Sequence, residues 1–217
     1  MTTSNKDYLV IGLSGTNGAG KDSVGHVLEA KAGFKFISLT ESLRHEATAR
    51  QLPIERDVLR EISREWRQAH GGGVLVDKAI EYYERAYRQS HPAGLVVASL
   101  RNHFEPDAVH NHGGLVVWVD GDPRVRYDRI QRDKALRGSD RAAEDNKTFD
   151  QFIAEENTEM FGYSDDPNAL KTIDVKNKAD RELFNNIMEQ GEAGLAELWI
   201  MIQKILPEVQ TSAATTV

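Results

Sequence analysis

The segment GLSGTNGAGKDS, residues 12–23, constrains this chain more than any other stretch. It places a glycine-rich turn between an apolar run and a segment with helical apolar spacing. The pattern GxxxxGK runs from Gly15 through Gly20 to Lys21. Along Gly15, Thr16, Asn17, Gly18, Ala19 and Gly20 the backbone can wrap its N–H groups around a polyphosphate, while Lys21 supplies a mobile cation. A Ser or Thr is expected next; Asp22 stands there instead, with Ser23 behind it. The spacing alone is a weak signal, and its context strengthens it. DYLVIGLS, residues 7–14, reads as a buried parallel strand, and DSVGHVLEAK places Val24, Val27 and Leu28 at helical spacing. A strand, a phosphate-binding loop (P-loop) and a helix in that order call for an α/β fold.

The rest of the chain continues the alternation. FKFISL (34–39), GLVVASL (94–100) and GLVVWVD (114–120) read as strands, and LKTIDVK (170–176) as a weaker fifth, with helical patterns between them. The expectation is an α/β three-layer sandwich around a five-stranded parallel sheet. Residues 40–90 form a charged, mostly helical excursion broken by Pro53 and by Gly71, Gly72 and Gly73, as suits a substrate-binding insertion. Residues 132–147 are polar and Arg-rich, as a closing lid would be, and precede a helix over FDQFIAEENTEMF. One domain over 1–217 is therefore expected, with a core at about 7–39, 91–131 and 165–207 and a disordered tail at about 208–217. Leu195, Leu198, Trp199, Ile202, Ile205 and Leu206 mark an apolar helix that covers the sheet, with a homodimer contact as the alternative.

Composition narrows the function classes. At 217 residues and 40% hydrophobic content the chain can bury a core, and it has no run of the ~20 apolar residues a membrane span needs. No signal pattern opens MTTSNKD, so cytoplasmic residence is the default. The absence of cysteine excludes a disulfide framework, thiol catalysis and Cys-ligated zinc. A net charge of −7 disfavours a nucleic-acid partner while permitting a local basic pocket for a small anion. His103, His110 and His112 lack a companion acid at ligand spacing and read as structural.

GTNGAGKDS, ISLTESLRHEA (37–47), SLRNHFEPDAV (99–109) and DGDPRVRYDRIQRD (120–133) together resemble the P-loop nucleotide kinases of the adenylate-kinase-like and dephospho-CoA-kinase-like type, over about residues 8–190. The chain is similar to small archaeal-type kinases through LRHEATARQLPIERDVLREISREWRQAHG. Its Lys-Asp pair and LRNHFE stretch are similar to phage-type deoxynucleoside monophosphate kinases. The resemblance implies a P-loop NTPase fold and transfer of the γ-phosphoryl of ATP, with Mg²⁺, to a small nucleotide-like acceptor. A nucleoside or deoxynucleoside monophosphate fits best, with dephospho-CoA as the alternative and a non-catalytic ATP-binding regulatory module as the rival.

Phosphoryl transfer asks the protein for positioning and positive charge, so the arginines are where function should show. The resemblance places Arg44, just after the second strand, on the acceptor phosphate, and Arg101, after the third, by the same logic. Both sit where ligands bind in open α/β sheets, beyond the strands' C-terminal ends, and guanidinium forks match phosphate oxygens. Thr40 and Glu41 would border the acceptor. Lys21, Arg101, Arg132 and Arg137 are the catalytic candidates, Arg129 a cofactor contact, and Arg141 a lesser lid arginine. For the metal, the usual hydroxyl and acid are exchanged: Asp22 follows the lysine and Ser99 ends the third strand, so these two are the candidate Mg²⁺ ligands. The alternative is that Asp22 caps the helix while ATP and water hold the ion. Asp122 reads as an N-cap ahead of Pro123, and Asp120 as part of the DGDP turn. Arg56, Arg60, Arg64 and Arg67, interleaved with Glu61 and Glu65, read as a solvated, ion-paired helix face.

Overall fold

The computed structural model describes residues 7–133, 147–162 and 171–209. Five strands are described: β1 (Leu9–Gly15), β2 (Phe34–Ser38), β3 (Gly94–Ala98), β4 (Leu115–Asp120) and β5 (Arg181–Phe184). They form one sheet of order β2-β3-β1-β4-β5, and every pairing is parallel. Successive side chains of a strand face opposite layers, and both layers are apolar here. Ile11, Leu13, Val96, Ala98, Val117 and Val119 pack beneath α1 (Lys21–Ala32) and the C-terminal helix Gly191–Ile205. Val10, Leu95, Val97 and Val116 pack on the other face against Val74–Ala86, which is α4, and Phe104–Asn111, which is α5. Continuous apolar runs are therefore what this sheet requires.

The excursion between β2 and β3 consists of α2 (Leu39–Ala49), α3 (Arg56–His70) and α4. After β4, Asp122 caps α6 (Pro123–Arg132) by accepting from the N–H groups of Arg124 at 2.8 Å and Val125 at 3.4 Å. The helix α7 (Phe149–Phe161) opens on a reciprocal cap between Thr148 and Gln151.

The expected fifth strand is corrected. Thr172–Lys176 is a short helix, α8, and residues 181–184 take the edge of the sheet. In α8, Thr172 and Val175 are the buried pair, and a spacing of three is helical. In β5 only Leu183 is buried, so an edge strand of four residues carries almost no periodic signal. The C-terminal helix, α9 (Gly191–Ile205), buries Leu198 and Ile202 against α1 and the sheet, whereas Leu195 is 45% exposed. Packing continues past Pro207, since Val209 is fully buried where the tail was expected to have begun. Among the described residues no helix is long and apolar enough to cross a membrane. His110 pairs with Asp180 at 2.8 Å and His112 with Asp77 at 3.2 Å, ties that serve the packing of α5.

Candidate active site

The loop from Gly15 to Gly20 is shaped by what lies behind it. Gly15 holds φ 143° and a side chain there would meet the Val119 carbonyl oxygen at 1.8 Å; Gly18 and Gly20 hold φ 76° and 95°. Only glycine takes these conformations at little cost. The Thr16 N–H donates to Val119 O at 3.2 Å and its hydroxyl to Asp120 Oδ1 at 2.7 Å, so the end of β4 anchors the loop. Asp120 therefore does more than shape the DGDP turn.

Three further side chains fasten the loop's carbonyls. The Arg126 guanidinium, buried under the loop, donates to Asn17 O at 3.0 Å and Gly121 O at 2.8 Å, and forks onto Glu156 of α7. Asn185, just beyond β5, donates to Ala19 O at 2.8 Å. Arg129 donates to Asn185 O at 3.0 Å and Ile187 O at 2.6 Å and reaches Gly18 O at 3.4 Å. With carbonyls drawn backward, the loop is preorganised for an anion on its open side.

Lys21 opens α1 half-buried, and its ammonium donates to Gly15 O at 2.9 Å and Thr16 O at 2.7 Å. Burial, and then the nearby Arg101 charge, push its pKa down to about 8, with Asp22 and Glu159 pulling the other way. A polyanion beside this amine would reverse that shift, which makes the loop's preference for phosphate electrostatic as well as geometric.

The loop opens into a cavity of about 770 Å³. Asn17, Gly18, Gly20, Lys21, Asp22, Ser23 and Arg129 line one side; Thr40, Glu41 and Arg44 line another, with Phe36, Ile54, Leu59, Tyr82 and Tyr87. Sheet order places the third group between them: β3 lies between β1 and β2, so Ser99 and Arg101, which follow it, enter between the two sides. Gly15, Thr16 and Ala19 form the loop itself and do not line the cavity. Arg101 carries Glu159 of α7 at 3.5 Å, and Arg44 is paired with Glu41 one helical turn away. Arg132 is turned elsewhere, donating to Asp133 at 2.9 Å and Met188 O at 3.1 Å, and does not line the cavity. Arg137 and Arg141, with all of the lid expected at 132–147 except Arg132, Asp133 and Lys147, lie outside the described residues.

Asp22 does not cap α1 through its side chain: Gly20 is the N-cap residue, with no side-chain cap hydrogen bond. Asp22 is exposed at the cavity wall, and the half-buried Ser99, in the turn after β3, lines the same cavity. Ser99 takes φ 75°, rare for a residue with a side chain. No cluster of three or more His, Asp or Glu is placed to hold a metal among the described residues.

Arg126, Asn185, Glu156 and the aromatic wall escape a reading of the sequence. Arg126 stands three positions before Arg129 in an Arg-rich helix, and nothing local distinguishes the arginine that becomes buried. The arginine stripe of α3 also divides: Arg60 and Arg64 pair with Asp57 at 3.1 Å and Glu61 at 2.6 Å in solvent, while Arg67 turns inward.

A family model described as an AAA domain matches residues 11–157. Among solved structures, shikimate kinase from Bacteroides thetaiotaomicron aligns with a TM-score of 0.58 at 16% identity, covering 92% of this chain and 98% of the other. A protein from Chloroflexus aurantiacus aligns with a TM-score of 0.51 at 12% identity, covering 96% and 100%. At such identities the likeness is one of fold. No curated protein matches the sequence.

Proposed function

Because the chain belongs to the AAA domain family and has the five-stranded parallel fold of a P-loop kinase, we propose that it transfers the γ-phosphoryl group of ATP to a small nucleotide-like acceptor, a nucleoside or deoxynucleoside monophosphate. The observation that carries this reading is a single cavity with two ends of different chemistry. The P-loop end offers backbone N–H groups and the Lys21 ammonium to a polyphosphate. The far end offers Arg44 beside an apolar and aromatic wall, in which Ile54 and Tyr82 are 47% and 43% exposed, and Arg101 enters between the two ends. A protein that only bound ATP would have no use for a second cationic subsite, and a planar base suits such a wall.

In this reading Lys21 and the loop hold the β- and γ-phosphates, and Arg101 and Arg44 release their carboxylate partners to take the acceptor phosphate. Mg²⁺ accompanying ATP would supply charge neutralisation on the transferred group. Asp22 and Ser99 offer it hard oxygen donors at the cavity wall, of the kind this ion accepts. Asp22→Ala is expected to raise the Mg²⁺ concentration needed for half-maximal rate on the order of 10-fold. An unchanged Mg²⁺ titration would remove Asp22 from the metal's environment.

Arg101→Met is expected to raise the acceptor KM roughly 10- to 100-fold, the loss of one or two charge-assisted hydrogen bonds, with the ATP KM little changed. Equal increases in both would place Arg101 on ATP instead. The direct test of the function is ADP production from ATP and Mg²⁺ with a panel of ribo- and deoxynucleoside monophosphates and dephospho-CoA. Stimulation by one monophosphate supports the proposal, and stimulation by dephospho-CoA alone replaces the acceptor. ATP binding without stimulation by any of them would favour a regulatory module.

A further inference from the structure

The turn that brings Arg101 to the cavity is held from behind by a carboxylate the proposed chemistry does not use. Glu105, in the first turn of α5, is 1% exposed. Its Oε2 accepts the backbone N–H of Arg101 at 2.6 Å and of Asn102 at 3.1 Å. Its Oε1 faces Arg67 Nη1 at 3.6 Å, across from the last turn of α3. Burial holds the Glu105 carboxyl above the usual carboxylate range, against the pull of the two amides and then of Arg67 and Arg101. The turn is fastened a second time, since the fully buried Asn102 accepts the Phe104 N–H through Oδ1 at 2.9 Å. Ser99, two residues before Arg101, sits in the left-handed region. A strained turn over-determined by buried hydrogen bonds, at the lip of a cavity, is a way of storing a fixed geometry.

We infer that Glu105 is the positioning residue of the acceptor subsite. By accepting both N–H groups it fixes the backbone from which Arg101 enters the cavity. Through Arg67 it ties that backbone to the α2–α4 excursion, which carries Arg44. The two arginines assigned to the acceptor phosphate thus share one frame, although one follows β3 and the other follows β2. The role needs a carboxylate. Two oxygens serve two amides and a guanidinium together, whereas glutamine has one acceptor oxygen and would turn N–H donors toward Arg67 or the backbone. The inference rests on the proposed function for its acceptor.

The test is steady-state kinetics of the full chain with the acceptor that stimulates the wild type, comparing Glu105→Gln, Arg67→Met, Arg101→Met and the Glu105→Gln/Arg101→Met pair. Glu105→Gln is expected to raise the acceptor KM on the order of 10-fold, with the ATP KM within about twofold, because a small misplacement of a positioning group carries that penalty. Combined with Arg101→Met it is expected to add little, since both remove the same contact. Should Glu105→Gln fail to fold, Arg67→Met carries the same expectation for the acceptor KM. The inference is overturned if the folded variant leaves the acceptor KM unchanged, raises both KM values alike, or adds in full to Arg101→Met. A wild type that no acceptor stimulates overturns the proposed function and takes the inference with it. An active wild type matched by Glu105→Gln overturns the inference alone.

Discussion

Lys21→Ala is expected to lower acceptor-dependent ADP production by about 10³-fold in kcat/KM, roughly 4 kcal/mol of transition-state stabilisation, while leaving the fold intact. The ammonium is the one cation carried by the loop segment itself, and its hydrogen bonds in the free protein go to Gly15 O and Thr16 O. Both are neutral carbonyls that a phosphate oxygen can outcompete, because the amine regains proton affinity beside an anion. Folding should hardly suffer, since burial lowers the Lys21 pKa to about 8 and the charge is thus a burden on the native state. The sign follows from proton binding: between pH about 8 and the ordinary lysine range the unfolded chain binds more protons, so this group's contribution to stability rises with pH there. Thermal unfolding at pH 7 should give a Tm for Lys21→Ala equal to or above the wild type. A variant that kept more than a tenth of the activity would show that the loop's N–H groups suffice without the lysine.

Arg126→Met is expected to give the largest loss of stability, about 3–5 kcal/mol, the range for breaking one partner out of a buried ion pair. The guanidinium is 1% exposed and joins three parts of the molecule: Gly121 at the end of β4, Asn17 in the P-loop, and Glu156 of α7. Removing it leaves Glu156, itself mostly covered, without its fork and frees the Asn17 carbonyl. For a chain of this size the corresponding fall in Tm is roughly 10 °C. The ATP KM should rise as well, because the loop loses one of the donors that shape it. Arg126→Met/Glu156→Gln should recover much of the stability, since the stranded carboxylate is then gone, but not the ATP affinity. A loss under 1 kcal/mol by denaturant titration would mean that the loop is fastened by Thr16–Asp120 and Asn185 without Arg126.

Strands β1, β3 and β4 are readable because a parallel strand covered on both faces must be apolar at nearly every position, as the segments ending at Gly15, Ala98 and Asp120 are, while β2, at the sheet's edge, is marked by Phe34, Phe36 and Ile37. The ends are less so: Leu39 continues the apolar run of β2 and begins α2. β5 is illegible because an edge strand with one buried residue has no pattern, and α8 reads as a strand because Thr172, Ile173 and Val175 favour one locally. The placement of Thr172 and Val175 under neighbouring elements overrode that preference.

The candidate site divides the same way. Residues 15–21 announce phosphate binding because the chemistry is a local property of backbone and glycine, and the positions after β2 and β3 announce a crevice because every open parallel sheet has one there. Arg126 and Arg129 are three residues apart on one helix, yet one supports the loop from within and the other clamps it to residues 185–187. Arg64 and Arg67 are likewise three apart, and only the second meets Glu105. The sequence by itself determined the parallel α/β core, the phosphate loop and the cations available to it, because these follow from periodicity and local backbone chemistry. Only the tertiary structure decided which of those charges are buried, which carboxylates they meet and which face the cavity, because desolvation and pairing depend on segments that are distant in the chain and adjacent in space.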